Sequence, residues 1–126
     1  TGVYSALDPR IEKSFVVAGT APMFLRFNTP SNFGDYEQMD VDFYKIANYL
    51  EQYVMSSSGK GREQVQIFNK NDPCCFSGSD FLIYEDEIKN VLLLTGSGNF
   101  SINIDENNYK HSISLDSLKL ISEKIK

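Results

Sequence analysis

Apolar positions change their period several times along the chain, and each change marks an element. Residues 1–7 predict the tail of a helix, with Val3, Ala6 and Leu7 on one side. Asp8-Pro9 stops it, because proline disfavours the helical conformation in the residue before it. Residues 13–19 form a short apolar run without polar alternation, which suits a parallel strand covered on both faces. Gly19-Thr20-Ala21-Pro22 breaks it. Residues 23–40 hold no clean period, and the stretch from about 20 to 40 reads as an excursion over the rim of a site. Residues 41–55 predict one helix, with Tyr44, Ala47, Leu50 or Glu51, and Val54 on one face. It is closed by Ser56-Ser57-Ser58-Gly59-Lys60-Gly61, with glycine in the C-cap region.

The second half repeats the alternation. Residues 64–69 predict a strand and residues 70–78 a loop. Residues 80–94 predict a helix carrying Phe81, Tyr84 or Glu85, Ile88 and Leu92 on one face. Thr95-Gly96-Ser97-Gly98 turns the chain, and Phe100, Ile102 and Ile104 then alternate with Ser101, Asn103 and Asp105, the pattern of a half-exposed or edge strand. A polar loop over 106–112 precedes a last helix with Leu115, Leu118, Ile121 or Ser122, and Ile125 inward, Asp116 in its first turn and Lys124 and Lys126 in its last. Strand and helix alternating in this way predict an α/β fold with three parallel strands and right-handed crossovers. Loops after parallel strands emerge at one edge of the sheet, where such folds keep their sites.

Composition narrows the partners. At 126 residues the chain is one domain or part of one, and 41% hydrophobic against 23% charged residues is the balance of a globular protein. A net charge of −5 with scattered lysines argues against nucleic acid, which needs a concentrated basic surface. No apolar run reaches the length of a membrane span. The two cysteines, Cys74 and Cys75, are adjacent and cannot staple distant segments; they read as two reduced thiols near the site, with a vicinal redox switch as the alternative.

The candidate chemistry centres on His111, the single histidine, in the loop after the third strand, and on Asp72, in Asn69-Lys70-Asn71-Asp72-Pro73 after the second. In a Ser-His-Asp site the histidine is the general base, and the carboxylate fixes its tautomer and stabilises the imidazolium. Consecutive strand-end loops bring the two residues to the same sheet edge. Among other acids, Asp105 reads as a turn cap, Asp80 as an N-cap or first-turn residue, and Asp35, Glu37 and Asp40 as a solvated rim. One histidine and no Cys-x-x-Cys spacing argue against a metal site, and no cofactor is implied. Cys74 or Cys75 as nucleophile with His111 is the thiol alternative, disfavoured because this loop already carries the acid.

Three stretches resemble bacterial α/β-hydrolases: Ala6-Leu7-Asp8-Pro9-Arg10-Ile11 with Phe15-Val16-Val17-Ala18-Gly19, then Gln66 to Phe76 around Asp72, then Asp105 to Ser114 around His111. The resemblance implies that these residues are the C-terminal portion of a doubly wound, mostly parallel α/β-hydrolase sheet, with Asp72 as triad acid and His111 as triad base. It also implies that the nucleophilic serine and the oxyanion hole lie upstream of Thr1, since no Gly-x-Ser-x-Gly occurs here. The expected function is the acid-and-base half of a serine hydrolase cleaving an ester or related acyl bond of a small molecule. Its expected partner is the N-terminal portion of the same hydrolase, and this chain alone is expected to be inactive. The alternative is a non-catalytic binding module of the same fold class.

Overall fold

The computed structural model describes residues 2–28 and 40–126, without the side chains of residues 26–28. Three parallel strands, β1 (Lys13–Val17), β2 (Glu63–Asn69) and β3 (Asn99–Asp105), lie in the order β1-β2-β3. Helices α1 (Gly2–Leu7), α2 (Val41–Ile46), α3 (Tyr49–Ser57), α4 (Glu85–Thr95) and α5 (Leu115–Ile125) flank and connect them. The α/β reading therefore holds at the level of a three-stranded parallel sheet with flanking helices. Among the described residues no helix is long and apolar enough to cross a membrane.

Every residue of β2 is buried, as expected of a central parallel strand. Its pleat sends Gln64, Gln66 and Phe68 to one face and Val65, Ile67 and Asn69 to the other. On the first face Phe68 and Phe100 join Tyr49, Tyr53, Phe81, Tyr84, Ile88 and Leu92 in an apolar core under α3 and α4. Phe68 stacks on Phe81 with ring centroids 3.7 Å apart. Two glutamines share this dry face because the amides are partnered. Gln66 Oε1 accepts from the Tyr84 hydroxyl at 2.6 Å, Gln66 Nε2 donates to Gln64 Oε1, and Gln64 Nε2 reaches the hydroxyls of Ser5 and Ser14.

Four expectations about faces and boundaries are corrected. The helix expected over 41–55 is two, since Asn48 caps α3 with a reciprocal bond between its backbone amide and Glu51, interrupting the run. The buried side of α3 is Tyr49, Gln52, Tyr53, Ser56 and Ser57, not the Tyr44–Val54 stripe. Small residues decide this: Ser5 Oγ bonds Ser56 Oγ, drawing α1 against α3 along Gly2, Ser5 and Ala6 and leaving Leu7 exposed. Helix 80–94 begins as a 3-10 turn over Asp80–Tyr84 and becomes α-helical at Glu85, although its face of Phe81, Tyr84, Ile88 and Leu92 is the buried one.

The largest correction concerns α5. Leu115, Leu118 and Ile125, expected inward, are 76%, 46% and 62% exposed, and Ser117 is buried instead. The cause is electrostatic. Ser114, the N-cap, donates to Asp105, and Ser117 donates to the same carboxylate, which fixes the rotation of the helix. At the far end Lys124 pairs with Glu63 at 2.6 Å and its carbonyl accepts from Lys13. The strand expected at 13–19 is β1, with Ser14 and Val16 buried but Phe15 and Val17 only partly so, because it lies at the sheet edge and pairs with β2 alone among the described residues.

Close approach explains Gly98. It bridges Ser58 just before β3, and a Cβ there would lie 2.1 Å from the Ser57 carbonyl oxygen.

Tyr84→Phe should lower the unfolding free energy by about 1–3 kcal/mol, because it strands Gln66 Oε1 in the dry core rather than removing apolar area. Urea denaturation measures this; a change within error would show that the glutamine pair does not depend on the phenol.

Candidate functional site

Both predicted site residues leave the carboxyl ends of adjacent parallel strands. Asn69 ends β2 and pairs in register with Asp105, which ends β3. The loop after β2 carries Asp72, and the loop after β3 carries His111. Asp72 Oδ2 lies 2.8 Å from His111 Nδ1, with the carboxyl side chain fully buried and the imidazole 43% exposed. The two sequence candidates are thus brought together.

Asp72 also organises its own loop. Its Oδ1 accepts from the backbone amides of Cys74 at 2.8 Å and Cys75 at 3.2 Å, an Asx turn built around Pro73. Burial pushes its pKa up, but the hydrogen bond from His111 and those from the two backbone amides outweigh it, and the net direction is below the ordinary carboxylate value. An ionised carboxylate only accepts hydrogen bonds, so Nδ1 is the donor of this pair, and the tautomer it selects has its lone pair on Nε2.

The loops are held to one another by a residue that the sequence reading passed over. Asn69 is buried, and its Nδ2 donates to the carbonyls of Lys110 at 2.9 Å and Ser112 at 3.0 Å, on either side of His111. Its own backbone carbonyl accepts from the Asp72 amide at 3.1 Å. Asn69 Oδ1 is buried with no hydrogen-bond partner among the described residues. On the surface, Lys70 pairs with Glu106 at 2.7 Å and Asn71 Nδ2 donates to the Glu106 carbonyl, two further ties between the loops. The available sequence signal was an asparagine closing an otherwise apolar strand end, in Ile67-Phe68-Asn69, on the same face as Val65 and Ile67.

The competing acids have structural tasks. Asp105 caps the turn as expected, accepting from the amides of Asn107 and Asn108 and from Ser114 and Ser117. Burial raises its pKa, and these four donors lower it further than burial raises it. Asp80 lies in the first turn of its 3-10 segment. Asp40 is the N-cap of α2, accepting from Asp42 and Phe43 amides, rather than a rim acid. Asp35 and Glu37 lie outside the described residues, as does much of the expected rim; the part from Met23 to Asn28 is a 3-10 helix.

The cysteines differ from expectation. Cys74 and Cys75 are joined in a disulfide, not held as two thiols. In this state neither sulfur is a thiolate, so the thiol-nucleophile alternative has no nucleophile. Both sulfurs and a ring nitrogen of His111 lie within 4.8 Å of one another.

No protein-family model matches the chain. No curated protein and no solved structure matches it either.

Two outcomes test this geometry. Asn69→Leu keeps the volume and removes the two donors together with the unpartnered oxygen. We expect it to change global stability by less than about 1.5 kcal/mol while abolishing the low-field Nδ1 proton resonance of His111. A resonance that survives unchanged would show that Asn69 does not place the ring. Asp72→Asn should flatten the acid limb of stability. A depressed folded-state pKa contributes stability that is present above the unfolded value of about 3.9 and is lost as pH falls through the lower folded value. The variant lacks that loss, so its unfolding free energy declines less steeply in this window; the remaining slope includes Asp105. An identical slope in both proteins would mean that Asp72 is not held ionised.

Proposed function

We propose that this chain is the acid-and-base portion of a Ser-His-Asp hydrolase of the α/β-hydrolase type, acting on an ester or related acyl bond of a small molecule. The observation that carries the reading is the Asp72–His111 pair, made across two consecutive parallel strand ends with the carboxylate buried and the imidazole accessible. A surface ion pair gives no reason to bury the acid fully while its imidazole partner stays accessible. A catalytic base calls for an accessible ring whose tautomer a buried carboxylate fixes.

In this mechanism Nε2 of His111 takes the proton of a serine hydroxyl as that oxygen attacks the acyl carbon. Asp72 keeps the proton on Nδ1 and stabilises the imidazolium that results. His111 then protonates the leaving alcohol, and in the second half it activates water against the acyl-serine. The serine and its oxyanion-hole amides belong, in this reading, to an upstream portion of the same hydrolase. Two surfaces are suited to receive it: the β1 edge and the exposed apolar side of α5 formed by Leu115, Leu118 and Ile125. An exposed apolar strand edge and helix face are aggregation hazards unless covered.

The test is labelling of the complete polypeptide with a serine-directed fluorophosphonate, followed by kinetics on short-chain esters. A labelled serine is expected, and His111→Ala or Asp72→Asn should each lower kcat by about 10³–10⁴-fold. Absence of any labelled serine would favour the non-catalytic binding module, and full turnover by His111→Ala would refute the assignment of the base.

A further inference from the structure

We propose that reduction of the Cys74–Cys75 disulfide converts this corner of the molecule into a binding site for a thiophilic divalent cation of the zinc type, with Cys74, Cys75 and His111 as its three protein ligands. The proposal does not rest on the hydrolase reading. Its first ground is proximity: the two sulfurs and an imidazole nitrogen already lie within 4.8 Å of one another. Tetrahedral zinc holds sulfur at about 2.3 Å and imidazole nitrogen at about 2.0–2.1 Å, which sets donor atoms about 3.5–3.8 Å apart. Loading therefore draws the imidazole inward from this separation, by rotation of the exposed ring, while the sulfurs part. Cys74 and His111 are exposed and Cys75 is half-buried, so an ion can enter from solvent.

The second ground is independent of proximity. Metal-ligating histidines characteristically donate their other ring N–H to a carboxylate, which fixes the ring and raises the basicity of the ligating nitrogen. Asp72 Oδ2 occupies that position on Nδ1, leaving Nε2 as the ligand. The same carboxylate, through Oδ1, accepts from the amides of both cysteines. One buried group thus orients all three ligands. The pattern escapes a search for Cys-x-x-Cys spacing because the cysteines are adjacent and the third ligand arrives from the loop after the next strand.

The chemistry balances as two steps. A thiol reductant of the cysteine type supplies two molecules of RSH; the S–S bond breaks, each sulfur gains a proton, and RSSR leaves with the oxidation. The cation then displaces one proton from each thiol, giving two thiolate bonds and one imidazole bond, with two protons released and the fourth position left to water. Ligation uses the lone pair on Nε2, so a cation-loaded chain cannot use His111 as a general base.

Co²⁺ titration of the whole chain reads the site directly. With phosphine-reduced protein we expect one Co²⁺ per chain, with thiolate charge-transfer and tetrahedral d–d bands that Zn²⁺ then bleaches. The untreated disulfide form should show neither. Cys75→Ser should lose most of the charge-transfer intensity. His111→Ala and Asp72→Asn should keep thiolate bands but weaken binding by about 10–100-fold, with folding checked by circular dichroism. Absence of bands in the reduced chain overturns the proposal, as do equal bands in the disulfide form. It is likewise overturned if the His111→Ala chain, or the reduced chain unfolded in urea, binds as tightly as the folded wild type, because the cysteines would then act alone. None of these readouts requires hydrolase activity.

Discussion

Asn69 ends the fully buried strand β2, and its amide donates to the carbonyls on both sides of His111 while its backbone carbonyl accepts from Asp72. That single residue couples the two loops on which the site is built. Its contribution to stability is close to balanced. Two neutral hydrogen bonds bring about 0.5–1.5 kcal/mol each, and a buried carbonyl oxygen without a partner costs about 1–3 kcal/mol. A residue whose energetic terms nearly cancel is better explained by what it positions. Here it fixes the path of the histidine loop to the end of the fully buried central strand.

The rest of the arrangement follows from parallel topology. Strands β2 and β3 run in register from Glu63↔Asn99 to Asn69↔Asp105, so their loops begin side by side. Asp72 and Asp105 then fill parallel roles, each collecting two backbone amides in a turn beyond its strand and each accepting a side-chain donor from the segment after β3. The partners differ in kind. Asp105 spends its second oxygen on Ser114 and Ser117 and so locks the start of α5, whereas Asp72 meets a titratable ring that solvent can reach. Structure and candidate chemistry are separated by that one difference.

Strand existence and parallel direction were legible because β1, β2 and β3 are short runs bounded by glycine, proline and asparagine, and the alternation of elements predicts parallel pairing. The Asp72–His111 pair was legible for the same reason, since topology alone sends both loops to one edge. Helix faces were not. In α1, α3 and α5 the inward residues include Ser5, Ser56, Ser57 and Ser117, and hydrophobic periodicity reads serine as a solvent-facing residue. These hydroxyls are buried because each has a partner: Ser5 with Ser56, Ser57 with the Tyr53 carbonyl, Ser117 with Asp105. Gln64 and Gln66 deceive in the same way, appearing as the polar half of an alternating strand while buried in a partnered network.

The displaced apolar face of α5 is the consequence with most bearing on function. Had Leu115, Leu118 and Ile125 turned inward, Ser117 would have lost Asp105, and Asp105 would have kept a buried charge with one donor fewer. Removing a hydrogen bond to a charged group costs about 1.5–3 kcal/mol, comparable with the gain from burying one of the three side chains, so this bond alone does not offset all three. Here the ion-anchored rotation prevails, supported at the other end by Lys124 on Glu63. The helix therefore presents three large apolar side chains on the side away from its anchors. The same carboxylate that shapes the histidine loop thus also sets which apolar surface α5 leaves exposed.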